Sequence, residues 1–153
     1  MIIISAMSEN RVIGVGDGMP WDVPEEYQQY LDYVRGNTVI LGRKSWEIFG
    51  ADLTEAKAIV VSRSISKVDH ALVADSLTAA IKLAEKNNGQ TFVAGGSSIY
   101  EQAIPLADQM YLSTIKGHYD GDSFFPDFDS TQWDIAEERD HPNFVFRRYL
   151  RKQ

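Results

Sequence analysis

The stretch MPWDVPEEYQQYL, residues 19–31, sets Asp22, Glu25 and Glu26 beside Trp21, Pro20 and Pro24, at the start of a run with tyrosines at helical spacing. A carboxyl group that holds a proton near neutral pH must be withdrawn from water, because burial disfavours its charged form. Pro24 suits the first turn of a helix, where its missing N–H is not needed. That puts Glu25 and Glu26 at the positive end of the helix dipole and Asp22 in position to cap it. Acids at a helix start most often serve only that dipole. Tyr27, Tyr30, Leu31 and Val34 follow the i, i+3, i+4, i+7 pattern of a buried stripe. At about 100° per residue, Glu25 points away from the stripe and is expected in solvent. Glu26 stands at the stripe's edge, about 40° from Tyr30, against an aromatic pocket where it could hold or relay a proton.

Three strand ends suggest a second chemistry, the binding of an anion. TFVAGGSSIYEQAI, residues 91–104, runs an apolar strand into Gly95-Gly96 and a helix opening with Ser97 and Ser98. The glycine pair admits a ligand to the backbone, and the helix start offers free N–H groups. By itself the motif is weak, since its spacing is not G-x-G-x-x-G and strand-to-helix turns use glycine for geometry alone. VILGRKSW, residues 39–46, takes another apolar strand into Gly42, Arg43, Lys44 and Ser45, and IVVSRS places Ser62 and Arg63 after a third. In open α/β sheets, ligands sit beyond the carboxyl ends of the strands. Cations gathered at two such ends, in a chain of net charge -7, point to a phosphate site.

The elements that must position these groups alternate. IIISAM, TVILG, AIVVS and TFVAGG read as strands, and the run from Pro24, RKSWEIFG, SLTAAIKLAEKNN and SSIYEQAI read as helices, the signature of an α/β sheet covered on both faces. The continuous apolar runs 38–41 and 58–62 are expected to be central parallel strands. After Pro105 the chain reads as strands only, so the sheet is expected to end in an antiparallel pair, with RRYLRK the solvated face of an edge strand. The roughly 15 residues before the first helix, with their glycines, exceed the ordinary connection of about 4–6 residues and are expected to be a functional loop. A length of 153 residues and 44% hydrophobic composition fit one globular domain, residues 1–153. With no cysteine, and with His70, His118 and His141 far apart, no metal is expected. The negative charge argues against a nucleic-acid partner, and no run reaches the ~20 apolar residues of a membrane span or carries a signal peptide's pattern. A cytoplasmic protein follows as the expectation. The sequence shows no heptad or large apolar stripe that would demand a partner, so a monomer is expected.

Taken in order, ISAMSENRVIG, MPWDVPEE, VILGRKSWE, IVVSR, VAGGSSIYEQ, MYLSTI and GDSFFPDF resemble the dihydrofolate reductase family over nearly the whole chain. The resemblance implies a mostly parallel, eight-stranded twisted sheet with about four helices and an antiparallel C-terminal hairpin. It implies reduction of 7,8-dihydrofolate to tetrahydrofolate, by hydride from NADPH and a proton added to the neighbouring ring nitrogen. The family's essential carboxylate falls on Glu26, with Trp21 ordering the proton-delivering water and Ser113 supplying a hydroxyl to the carboxylate. Ile4, Tyr27, Tyr30, Phe49, Leu53, Ala94 and Tyr100 would line the folate pocket, Tyr100 close to the nicotinamide. Ala6, Ile13, Gly14 and Met19 would meet the nicotinamide, residues 14–19 forming a mobile lid. Gly95, Gly96, Ser97, Ser98, Ile99 and Gln102 would follow the pyrophosphate. Gly42, Arg43, Lys44, Ser45, Ser62 and Arg63 would lie where the adenosine 2′-phosphate is received, which favours NADPH over NADH.

Two positions depart from the family. The arginine that grips the folate's glutamate carboxylate falls on Ala56, with Lys57 adjacent but facing the other way in an extended segment. A charge-assisted bond of about 1.5–3 kcal/mol is thereby lost, which corresponds to roughly 10- to 100-fold weaker tail binding. Ala94 replaces a larger aliphatic residue and should widen the pocket. Two further readings therefore stay open beside dihydrofolate reduction: a reductase of a tail-less pterin or related pyrimidine, and a catalytically silent nucleotide-binding protein.

Overall fold

A computed structural model describes residues 1–153. Ten strands and four α-helices follow in the order β1 (Ile2–Ser8), β2 (Val12–Gly14), α1 (Pro24–Val34), β3 (Thr38–Gly42), α2 (Arg43–Phe49), β4 (Lys57–Val61), β5 (Leu72–Ala74), α3 (Leu77–Ala84), β6 (Thr91–Val93), α4 (Ser97–Ala103), β7 (Gln109–Ile115), β8 (Ser123–Phe124), β9 (Trp133–Asp140) and β10 (Phe144–Arg151). Eight strands form one sheet in the order β5-β4-β3-β6-β1-β7-β10-β9. Pairing is parallel from β5 through β7 and antiparallel for β7-β10 and β10-β9. The α/β architecture with an antiparallel C-terminal hairpin is thus present as expected.

The central strands are apolar throughout because both faces are covered. Side chains alternate between layers. Ile3, Ile40, Ile59 and Val93 pack with α3 and α4 residues such as Ala80 and Ala103, while Ile4, Val39, Leu41 and Phe92 pack with Val34 of α1. A third cluster, Val12, Trp21, Ile115, Phe144 and Phe146, lies where the long loop crosses β7 and β10.

Three local expectations are corrected. Asp22 does not cap α1: the N-cap is Val23 and no side chain caps it, although Pro24 takes the first position as expected. Val34, Tyr30 and Leu31 of α1 pack into the core as expected, and the buried face extends to Tyr33, which stacks on Phe146 at 5.7 Å and meets Tyr111 at 4.9 Å, and to Glu26 at 6% exposure. RRYLRK lies on β10, which is not an edge strand. Its arginines face the acids of β9, with Arg147 bonded to Glu138 at 2.7 Å and Arg148 3.5 Å from Glu137. The long loop is partly ordered by β2, which pairs with β8 in a small separate sheet.

That small sheet anchors the glycine-rich turn. Asp122 donates its N–H to the Gly14 carbonyl at 3.0 Å and accepts from the Gly16 N–H at 3.1 Å. Gly121 is required at this crossing, because a side chain there would overlap Val12 and the Gly14 carbonyl. No helix is long and apolar enough to cross a membrane.

Candidate active site

The carboxyl ends of β1, β3 and β6 open onto a cavity of ≈ 560 Å³ lined mainly by apolar side chains. β1 supplies Ile4, Ser5 and Ala6; α1 supplies Glu26, Tyr27 and Tyr30; α2 supplies Ser45 and Phe49; and the β6–α4 turn supplies Ala94, Gly95, Gly96 and Tyr100. Ile13 and Met19 of the long loop close one side. Tyr27 lies between Tyr30 and Phe49, with ring centroids 5.9 and 6.1 Å apart. The Tyr100 hydroxyl donates to the Ile4 carbonyl at 2.8 Å, which joins α4 to β1 across the floor.

Glu26 is the only acid in this cavity. Burial raises its pKa from 4.5 to about 7, and a hydrogen bond from the Ser113 hydroxyl partly offsets that rise by favouring the ionised form. Ser113 sits on β7 opposite Ala6 of β1. Its oxygen also accepts from Gln29 Nε2 at 3.3 Å, and the Gln29 carbonyl accepts from Arg139 of β9 at 3.3 Å. Gln29 and Arg139 were not expected at the site. The helical i+3 spacing from Glu26 could have pointed to Gln29, but Arg139 is brought in only by the strand register. Burial likewise raises the hydroxyl pKa of Tyr27, Tyr30 and Tyr100, so these phenols stay neutral.

A second cavity of ≈ 940 Å³ adjoins the first and shares Ile13, Ser45, Phe49 and Gly96 with it. Gly14, Gly16 and Gly18 of the long loop, Gly42, Arg43, Lys44 and Ile48 around α2, Ser97, Ser98 and Ile99 of α4, and Ser123 of β8 complete it. α2 and α4 begin at Gly42 and Gly96 without side-chain caps, which leaves their first N–H groups free for an anion.

Some expected residues stand apart. Trp21 lies behind the first cavity at 8% exposure, its ring 5.6 Å from Tyr119. Its indole N–H has no protein partner and is not sealed from water. Leu53 lines a neighbouring groove with Ala56. Ser62 and Arg63 line another groove with Lys82, outside the second cavity. Gln102 is one turn along α4, its amide bonded to Ser98. Ser5, Ile48 and Ser123 were not anticipated, and nothing in their local sequence pattern distinguishes them.

The dihydrofolate reductase family profile matches residues 1–151. The chain belongs to the dihydrofolate reductase family. Its reaction is accordingly the NADPH-dependent reduction of dihydrofolate. Among relatives, the dihydrofolate reductase of Neisseria meningitidis is 36% identical over 157 aligned residues, covering 97% of this chain and 96% of its own. That of Bacillus subtilis is 31% identical, covering 97% and 93%. The structure of dihydrofolate reductase from Enterococcus faecalis complexed with NADP(H) and RAB-propyl superposes with a TM-score of 0.90 at 28% identity, covering 99% of this chain and 96% of that one.

Proposed function

We propose that residues 1–153 act as one catalytic domain in which Glu26 governs protonation of the pterin ring. The observation that carries this reading is that Glu26 is the only carboxyl group in an apolar cavity that shares a wall with a cation-bearing second cavity. Two reactants held in those cavities meet at Ile13, Ser45, Phe49 and Gly96, the adjacency that a direct transfer requires.

The second cavity fits a phosphorylated dinucleotide. Arg43 and Lys44 provide positive charge, and the uncapped starts of α2 and α4 provide N–H donors for pyrophosphate through Ser97 and Ser98. Arg43 and Lys44 are also the cations that favour NADPH over NADH. Bound NADPH supplies the hydride. Ala6, Ile13, Gly14 and Met19 shield that end from water, and Tyr100 fixes the floor beneath it.

In the first cavity, the pterin ring lies among Tyr27, Tyr30, Phe49 and Ile4, with its amino and ring N–H groups donating to Glu26. With a pKa near 7, Glu26 passes between its neutral and ionised forms at working pH, and its ionised form offsets the positive charge that develops on the ring as the ring nitrogen is protonated. Ser113 donates to it, and Gln29 holds Ser113 in place. A water reached by the free indole N–H of Trp21 delivers the proton to the ring nitrogen.

Stopped-flow measurement of the hydride step against pH tests this assignment. The rate is expected to level off below pH 7 and to fall about tenfold per pH unit above it. Ser113→Ala removes a bond that favours the ionised carboxylate, so its inflection is expected roughly one unit higher. An inflection unmoved by the substitution would remove Glu26 as the group that titrates.

A further inference from the structure

Dihydrofolate does not end at the pterin ring that the cavity around Glu26 takes. Beyond its pterin ring it carries an aminobenzoyl group that ends in a glutamate with two carboxylates, and those charges must meet protein or solvent where the extension leaves. The way out is marked by Tyr27, which stands in the cavity wall and donates to Asp52 Oδ2 at 2.6 Å. Asp52 lies in the wall of an adjoining groove of ≈ 480 Å³, together with Leu31, Arg35, Leu53, Glu55 and Ala56.

Arg35 is the only cation in that groove. It is the residue that ends α1, with its backbone N–H bonded to the Leu31 carbonyl, so its side chain springs from a fixed point. Its Nε lies 2.8 Å from Glu55 and its Nη2 lies 3.0 Å from Asp32, while its Nη1 has no protein partner. Lys57, next to Ala56, is exposed at the start of β4 and does not line the groove. Residue 56, just before β4, is alanine and lines the groove with no charge of its own.

We propose that Arg35 reads the carboxylate tail of dihydrofolate, with Glu55 as its internal competitor. The inference rests on the pterin ring lying beside Glu26. Glu55 and Asp32 hold the guanidinium at Nε and Nη2; in the complex a tail carboxylate displaces Glu55 from Nε and shares that edge through Nη2, giving a two-point contact. Both pairs are half-exposed, so the exchange is between two solvated partners and its net effect is modest. Asp52 and Glu55 also place negative charge beside the tail, which makes the contact weaker than one made by an unopposed arginine and sensitive to salt.

The test compares dihydrofolate with 6-methyl-7,8-dihydropterin, which has the ring and no tail, in wild type, Arg35→Gln and Glu55→Gln. Both KM and direct binding, read by quenching of tryptophan fluorescence, are measured. Arg35→Gln is expected to weaken dihydrofolate about tenfold in KM and Kd, with kcat and all dihydropterin values unchanged. Glu55→Gln is expected to tighten dihydrofolate about threefold and leave dihydropterin unchanged. Equal effects of Arg35→Gln on both compounds, no effect on either, or an unchanged dihydrofolate affinity in Glu55→Gln would overturn the proposal. Since dihydropterin engages only the Glu26 cavity, failure of the wild type to bind or reduce it would count against the pterin placement instead.

Discussion

Replacing Glu26 with glutamine is expected to slow hydride transfer at pH 7 by roughly 10²- to 10⁴-fold and, at the same time, to make the unliganded protein more stable in alkali. The two effects share one cause. Buried at 6% exposure, the Glu26 carboxyl has its pKa raised to about 7 in the folded chain, against 4.5 in the open one. Below pH 4.5 it is neutral in both states and costs nothing. Between pH 4.5 and 7 the unfolded chain gives up the proton while the folded chain keeps it, so stability falls as pH rises. Above pH 7 both forms are ionised and the folded state carries the whole penalty, ~3 kcal/mol at 1.36 kcal/mol per pH unit. Glutamine keeps a similar shape and never ionises. Urea denaturation should therefore give coincident curves for the two proteins near pH 4.5, and a variant more stable by ~3 kcal/mol near pH 8. A variant no more stable at pH 8 than at pH 4.5, relative to wild type, would show that the carboxylate is well solvated and cannot do the work assigned to it.

Gly95→Ala is expected to lower stability by ~1–3 kcal/mol and to raise the KM for NADPH more than tenfold. Gly95 has φ of +124°, a conformation that side-chain-bearing residues avoid, and an added methyl would lie 3.0 Å from Ser45 Oγ and 3.5 Å from the Tyr100 hydroxyl. Its carbonyl accepts from the Gly42 N–H at 2.8 Å, so a shift there also moves the β3–α2 turn that carries Arg43 and Lys44. Gly89→Ala is the control. Gly89 also has positive φ, at +89°, and a methyl there would meet Asn37, but it lines neither cavity. Thermal melts should show both variants weakened, with KM changed only for Gly95→Ala. Equal KM changes in the two would mean that general loosening, and not the turn itself, governs cofactor binding.

What could be read from the chain was whatever is periodic or local. Ile40 and Val39 announce a doubly covered strand because each faces a different apolar layer. The 100° step that separates Glu25 from Glu26 is a property of any helix, and it correctly sends one acid to the surface and the other to the cavity. The packing of Tyr33 is not legible from α1 alone, because its partner Phe146 comes from a strand more than a hundred residues away. β5 was missed for a similar reason: it is a three-residue strand, exposed at Leu72, and only its pairing with β4 defines it. Family resemblance carried nearly all of the lining of the first cavity, which periodicity alone would not have assembled. Leu53, which the resemblance assigns to the folate pocket, lines the groove next to the first cavity, and Ser62 and Arg63, which it assigns to the 2′-phosphate, line a groove with Lys82.

The shared wall of the two cavities has a thermodynamic consequence. Ile13, Ser45, Phe49 and Gly96 cannot settle against one occupant without changing what the other finds, so the two ligands do not bind independently. Whatever factor NADPH contributes to the affinity for dihydrofolate, dihydrofolate must return to NADPH, since the free energy around a closed cycle of binding steps is zero. Inhibitors that fill the first cavity inherit the same obligation. Their strength is a property of the pair they form with the cofactor, and titrations made with and without NADPH should differ by one common factor for both partners.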